Sequence, residues 1–274
     1  MIKTRRKPFY SFKSNIFSAM TRVITVISGK GGVGKTTTTA NLGTALVHKG
    51  HSVIVLDANI TTPNLSLHLG IPLYPITLHD VLKKRADMRE AVYTHSSGLK
   101  VIPASLSINS MKGVKMSKLH TAIINLLGAS DFILIDAAAG LGNEAQAAID
   151  VADEVIIVTN PEITALTDAL KTVKIAEGVG TKVLGAVVNR RRGHNHEYTV
   201  PQIEDMLETE VLSTIPEDLA VPRSIANKMP VVHYSPRSKS SRQFKNLASI
   251  ITGERWVEPA RSKKWYEKLF SWMA

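Results

Sequence analysis

Gly29-Lys30-Gly31-Gly32-Val33-Gly34-Lys35-Thr36-Thr37 is the stretch from which the rest of the chain can be read. Before it, Val23-Ile24-Thr25-Val26-Ile27-Ser28 is a β-branched run of the kind that forms a buried strand. After it, Thr38 to Lys49 carries Ala40, Leu42, Ala45 and Leu46 at helical spacing, with Gly50 as a stop. The glycines therefore make a strand-to-helix turn, and Gly29 to Thr36 fits the spacing G-x-x-x-x-G-K-[ST]. Such a turn lets backbone N–H groups point inward around a phosphate chain, and the helix N-terminus adds positive charge there. The expected nucleotide-binding residues are Gly29, Lys30, Gly31, Gly32, Val33, Gly34, Lys35, Thr36 and Thr37. Lys35 is placed to reach the β- and γ-phosphates, and the Thr36 hydroxyl to ligate Mg²⁺.

Further apolar runs recur along the chain. Ser52 to Leu56 reads as a strand ending at Asp57, Leu99 to Pro103 as a short one, and Asp131-Phe132-Ile133-Leu134-Ile135-Asp136 as four apolar residues followed by an acid. Val155–Thr159, Val183–Val188 and Val211–Ile215 complete the set. Residues 76–95 read as helical and connecting, 104–116 as loop, and Leu119–Leu127, Ile163–Glu177 and Gln243–Ile251 as helices. The strands lack the polar alternation of a one-sided sheet. The expected fold is therefore α/β, a mostly parallel twisted sheet with helices on both faces. Right-handed crossovers then bring the glycine turn and the acid-ended strands to one sheet edge. Asp136, ending a buried strand, is placed to hold Mg²⁺ through its water shell.

The doubled lysine, Lys30 with Lys35, makes the chain resemble the MinD family, within the deviant phosphate-loop ATPases that also include ParA and the nitrogenase iron protein. The resemblance covers roughly residues 20–274. It implies ATP and Mg²⁺ as cofactors, an ATP-dependent homodimer in which Lys30 crosses to the partner's nucleotide, and an activating protein partner. Asp57-Ala58-Asn59 through Asn64-Leu65 resembles the first switch, in which a second acid orients the attacking water. Asn59 occupies that place, and an uncharged amide is a poor base, so slow hydrolysis is expected. Lys30, Lys35, Asp57 and Asn59 are the catalytic candidates, with Asp57 also near Mg²⁺. Asp136-Ala137-Ala138-Ala139-Gly140 resembles the second switch with its usual proline replaced by Ala138; there Gly140 would offer its N–H to the γ-phosphate. Asn189, at a strand end, is implied to contact the adenine, and Pro216–Pro222 to close over the base. Arg190–His196 reads as a solvated basic loop, its two histidines being a weak metal signal.

The charge lies at the ends. The net charge is +11, of which residues 1–22 carry six basic side chains and no acid, and residues 261–274 a net +3. Basic ends on a nearly neutral body point to anionic membrane or nucleic acid. Residues 1–21 read as a basic extension: a disordered arm, a weak membrane-touching helix built on Phe9, Phe12, Ile16, Phe17 and Met20, or a stretch upstream of a true start at Met20. Residues 22–253 read as the ATPase domain and 254–260 as a linker. In residues 261–274, Trp265, Leu269, Trp272 and Met273 fall on one helical face, flanked by Tyr266 and Phe270, with lysines opposite. Large aromatics with lysine suit a headgroup interface, and the stretch resembles the membrane-targeting tail of the MinD family. A cytoplasmic protein peripherally bound to the inner membrane face is expected, positioning cell division or a polar structure. A ParA-like DNA-partition ATPase and a non-hydrolysing scaffold are the rival readings. The absence of cysteine excludes disulfides and thiolate iron–sulfur ligation, and no apolar run approaches the ~20 residues of a membrane span.

Overall fold

The structure, a computed structural model, describes residues 21–71 and 74–254. Its eight strands are β1 (Arg22–Ser28), β2 (Val53–Asp57), β3 (Tyr93–Thr94), β4 (Lys100–Ile102), β5 (Phe132–Ala139), β6 (Glu154–Thr159), β7 (Lys182–Arg191) and β8 (Val211–Pro216). They form one sheet in the order β3-β4-β2-β5-β1-β6-β7-β8. Every neighbouring pair is parallel except β3 with β4 at the edge. The helices are α1 (Lys35–His48), α2 (Leu65–His68), α3 (Leu78–Leu82), α4 (Ile108–Met111), α5 (Leu119–Ile124) and α6 (Asn143–Asp150). After them come α7 (Ile163–Gly178), α8 (Val200–Leu207), α9 (Ala220–Ala226), α10 (Val231–Tyr234) and α11 (Lys239–Thr252).

Both faces of the sheet are covered, which is why its strands read as continuous apolar runs. Val23, Ile27, Ile54, Leu56, Ile133 and Ile135 pack on one side with Leu82, Ile123, Ile149 and Val173 from α3, α5, α6 and α7. Ile24, Val26, Val53, Val55 and Leu134 pack on the other with Leu42 and Leu46 of α1 and Phe244 and Leu247 of α11. Successive residues of each strand serve opposite cores, as a two-residue repeat requires. The expected parallel sheet with helices on both faces is the observed architecture.

Several elements depart from expectation. Residues 104–116 contain a helical turn, α4, where only loop was expected. The stretch 216–222 is not all loop, because α9 starts at Ala220: Asp218 Oδ1 accepts from the Ala220 N–H (2.9 Å), and Pro222 falls in the first turn, where its missing N–H costs nothing. Helix α6 and helix α8 were not anticipated. Helix α6 buries Ala145, Ala148 and Ile149, too few large side chains for a strong periodic signal. Helix α8 does carry start signals, the Thr199–Gln202 capping box and Pro201 in the first turn, with Ile203 and Leu207 buried one turn apart. Strand β5 runs three residues beyond Asp136, because without a proline at 138 the backbone goes on pairing, Ala139 with Ser28. The basic extension through residue 20 and the tail from residue 255 on, with Trp265, Tyr266, Leu269, Phe270, Trp272 and Met273, lie outside the described residues. Among the described residues no helix is long and apolar enough to cross a membrane.

Candidate nucleotide site

The glycine turn is held rigidly from behind and left open in front. Gly34 has φ +102° and caps α1, so that Lys35, Thr36 and Thr37 form the helix's first turn. A Cβ at Gly34 would lie 2.0 Å from Asn189 Nδ2, and one at Gly29 would lie 2.2 Å from the Asp168 carbonyl of α7. Packing therefore restricts both positions to glycine, and at Gly34 the left-handed φ does so as well. Gly32, with φ +79°, faces open space, and Lys30 and Gly31 are exposed beside it. The crest of the turn is thus free to receive a ligand. Lys30 Nζ lies 3.3 Å from the Thr164 hydroxyl of α7.

Beneath the crest is a buried charged cluster. Lys35 is only 8 % exposed, and burial holds its pKa below the usual lysine value despite the opposing pull of Asp136 and Asp57. Strands β2 and β5 pair Asp57 directly with Asp136, and both carboxyls are buried. Thr36 Oγ1 donates to Asp136 Oδ2 (2.6 Å), and Thr39 Oγ1 lies 3.4 Å from Asp136 Oδ1. Asp57 accepts from three backbone N–H groups, those of Asn59 (3.1 Å), Asn64 (3.1 Å) and Leu65 (3.0 Å). Burial pushes the Asp136 carboxyl up to about 6. Burial, and then the charge of Asp136, push Asp57 well above the carboxylate range. If both acids were ionised, their charge would exceed that of the one buried ammonium, so a cation at this point would favour their charged forms. A hydroxyl already aimed at a carboxylate, beside a loop built for phosphate, is the donor set a hard divalent cation takes. The residues present therefore fit Mg²⁺ held beside a phosphate chain. Among the described residues no three His, Cys, Asp or Glu side chains converge as a metal cage. His194 and His196 stack on each other (5.1 Å between centroids) on an exposed loop.

The remaining predicted residues are placed less directly. Asn59 uses both ends of its amide locally: Nδ2 donates to the Thr62 carbonyl (2.6 Å), and Oδ1 accepts from the Thr62 N–H (3.2 Å) and hydroxyl (3.0 Å). The Gly140 N–H donates to the Ser28 carbonyl (3.0 Å), so that bond must open before Gly140 can serve a phosphate. Asn189 is buried, and its Nδ2 donates to the Val33 carbonyl (2.7 Å), bracing the loop. Sequence reasoning missed Thr39, one helical turn beyond Thr36 and readable from that spacing. It also missed the link between the Thr61 hydroxyl and Glu144 of α6, for which no local pattern exists.

Comparison with known proteins bears on this geometry. The ParA family model, described as NUBPL iron-transfer P-loop NTPase, matches residues 19–252. An uncharacterised ATP-binding protein of Methanocaldococcus jannaschii is 38 % identical over 245 residues, 89 % of this chain and 93 % of that protein. The septum site-determining protein MinD of Thermotoga maritima is 34 % identical over 246 residues, covering 86 % and 89 % of the two chains. The structure of MinD from Pyrococcus horikoshii complexed with Mg-ADP superposes with a TM-score of 0.82 at 38 % identity, over 85 % of this chain and 96 % of that one. A MinC:MinD cell division complex from Aquifex aeolicus contains a similar chain, at TM-score 0.76 and 31 % identity, over 87 % of this chain and 98 % of that one. With the loop, the doubled lysine and the paired strand-end acids in place, the chain belongs to the ParA/MinD family of P-loop NTPases.

Proposed function

We propose that this chain binds ATP with Mg²⁺ at the 29–37 loop, hydrolyses it slowly, and in its ATP form pairs with a second copy and holds to the inner membrane face through residues 261–274. The observation that carries the reading is the buried set Lys35, Thr36 and Asp136 beneath an exposed crest bearing Lys30. Lys35 and the loop N–H groups would take the β- and γ-phosphates, Thr36 and Asp136 would hold the metal, and Lys30 would reach the nucleotide of the second copy. Mg²⁺, when bound, neutralises phosphate charge. Asn189 and the 216–222 segment would meet the base. Asn59 carries no charge and has both amide ends engaged with Thr62, which supports slow turnover until a protein partner stimulates it. Positioning of division or of another polar structure is the cellular role proposed.

One tail with six apolar side chains binds a bilayer weakly, because part of that burial offsets the ordering of a helix at ~1–2 kcal/mol per residue. Two tails on one dimer gain effective concentration and bind ~10²-fold or more tighter. The ParA-like rival predicts DNA affinity that falls steeply with salt. Iron carriage through thiolates has no ligand in a chain without cysteine. The test is ATPase turnover, oligomeric mass and flotation with anionic liposomes, each with ATP and with ADP. Equal membrane binding with both nucleotides, or a monomer holding Mg-ATP, would overturn the reading.

A further inference from the structure

Three adjacent parallel strands, β4, β2 and β5, send the chain out at one edge of the sheet. The segments that follow them meet around a surface groove of about 530 Å³. Ile60 and Thr61 of the 57–64 turn form one wall, Glu144 in the first turn of α6 another, and Met111, Val114 and Met116 the third. The Thr61 hydroxyl donates to Glu144 and so joins the first two walls. Those two walls continue from β2 and β5, the strands that carry the paired Asp57 and Asp136. The groove is therefore shaped by the segments next to the candidate nucleotide site, on the side of them away from the glycine loop.

The third wall does little for the fold itself. Helix α4 buries none of its residues: Ile108 is 80 % exposed, and Met111 belongs to neither core. The same stretch, 104–118, holds Lys112, Lys115 and Lys118 and no acid. Among the described residues these three lysines take no ion pair, whereas Lys49, Lys171, Lys174 and Lys182 each have one. Nearby acids are few. Glu144 has one oxygen engaged by Thr61, and Asp80 of the neighbouring α3 caps that helix with Thr77. Asp87 and Glu90 cap their own turn beyond α3, where Lys83, Lys84, Arg85 and Arg89 outnumber them. Asp150 lies at the opposite end of α6, roughly 10 Å from Asn143. The groove is thus apolar within and basic along one side.

We propose that this groove receives an amphipathic helix of a protein partner, apolar on the face it inserts and acidic along its flank, and that the bound nucleotide sets its affinity. Helices lay an apolar face into grooves of this kind, methionines adapt their shape to it, and unpaired lysines at the rim select acidic flanks. A nucleic acid duplex would use the lysines and leave Ile108 and Met111 without a role. Two of the walls are the segments that a γ-phosphate and its Mg²⁺ would move, so a nucleotide that reshapes them changes the fit of the helix. By linkage, a seated helix changes nucleotide affinity by the same factor. The proposal deepens the function proposed above by giving its activating partner a place, and only the nucleotide dependence rests on that reading.

The probes are two synthetic helical peptides of about 18 residues, roughly five turns. Both carry leucines on one face; one has glutamates and the other lysines along the flank. Their binding to the full chain is read by fluorescence anisotropy at about 100 mM salt, with a non-hydrolysable Mg-ATP analogue, with Mg-ADP and without nucleotide. The native chain is compared with a Met111→Gln variant and with a Lys112→Glu, Lys115→Glu, Lys118→Glu variant, and thermal melting checks that each is folded. The native chain should bind the glutamate peptide roughly tenfold or more tighter than the lysine peptide, and the charge-reversed variant should invert that order. Met111→Gln should lose roughly five- to tenfold for either peptide. The Mg-ATP and Mg-ADP forms should differ by about fivefold or more. No binding of the glutamate peptide, or equal binding by the native chain and both variants, overturns the groove, as does an effect of the lysines on a DNA duplex or anionic vesicles alone. Equal binding in all three nucleotide states, in a chain that holds ATP, overturns the coupling. A chain that holds no ATP overturns the function proposed above instead, and the two variants still decide the groove.

Discussion

The glycine loop and the 57–64 turn converge on the same pair of buried carboxyls, yet they are held by different kinds of contact. The loop is braced by residues remote in sequence: the Asp168 backbone against Gly29, Asn189 against Val33 and Gly34, and Asp136 on Thr36. The turn's polar contacts are mostly its own, through Asp57 with the N–H groups of residues 59, 64 and 65 and through Asn59 with Thr62; beyond these, the Ala58 N–H donates to the Asp136 carbonyl (2.9 Å), the Thr61 hydroxyl reaches Glu144, and Ala58 and Ile60 are buried. Buried long-range contacts fix a loop before its ligand arrives, whereas local hydrogen bonds at the exposed crest of the turn, around Thr61 and Thr62, exchange with water at little cost. The loop is therefore built as a preformed cradle, and the turn as the part able to rearrange.

The largest effect is expected at Gly34. A Gly34→Ala chain must place a methyl where Asn189 Nδ2 sits and adopt a left-handed φ, so it should lose ~2–4 kcal/mol of stability, measured by denaturant melting, and ATP affinity by 100-fold or more. Retained stability would mean that the brace is not rigid. Adding Asn189→Ala to Gly34→Ala should recover part of the stability in a double-mutant cycle.

Next comes Asp136→Asn. It removes a like charge from beside Asp57 and a buried carboxylate, so the nucleotide-free protein should melt ~2–8 °C higher at pH 7 while Mg²⁺-dependent nucleotide binding falls at least tenfold. The sign of its pH dependence follows from the raised pKa. The folded chain keeps the Asp136 proton up to about pH 6, whereas an unfolded aspartate releases it near 3.8. This group's contribution is therefore intact below the lower value and is lost as pH rises through about 6. The stability gap between Asp136→Asn and the native chain should accordingly open by ~1–3 kcal/mol between pH 4 and pH 7, read by melting across that range. In the same window, Mg²⁺-dependent binding by the native chain should weaken as pH falls below about 6.

The turn should respond more mildly. Asn59→Asp restores a charged group near the nucleotide edge and should raise turnover ~2- to 10-fold, measured by phosphate release, with melting changed by less than ~1 kcal/mol. Thr61→Ala removes the tie to Glu144 on an exposed turn and should cost ~0.5–1 kcal/mol at most. Large losses of stability in either would place the turn with the loop among the preorganised parts.

Much of this site was legible without coordinates, because its requirements are local. Gly34 must take a left-handed φ, Lys35 and Thr36 must open a helix, and Asp136 must end a buried run; each leaves its trace within a few residues. Elements made of small or polar residues left little trace. Helix α6 rests on alanines, and α4 follows a serine-rich stretch, so apolar periodicity passed over both. The roles of Asn59 and Gly140 were read by analogy, while their partners, Thr62 and Ser28, depend on how the backbone folds around them.

The sequence alone determined that the sheet is mostly parallel and covered on both faces, where the phosphate loop lies, and which acids end its strands, because hydrophobic period and glycine conformation act over short stretches. Only the tertiary structure decided that β2 lies beside β5, pairing Asp57 with Asp136, that Asn189 reaches Val33 across 156 residues, and that Arg22 meets Ile251 at the far edge. Those contacts join distant segments, and they are selected by the packing of the whole sheet rather than by any pattern a local stretch can carry.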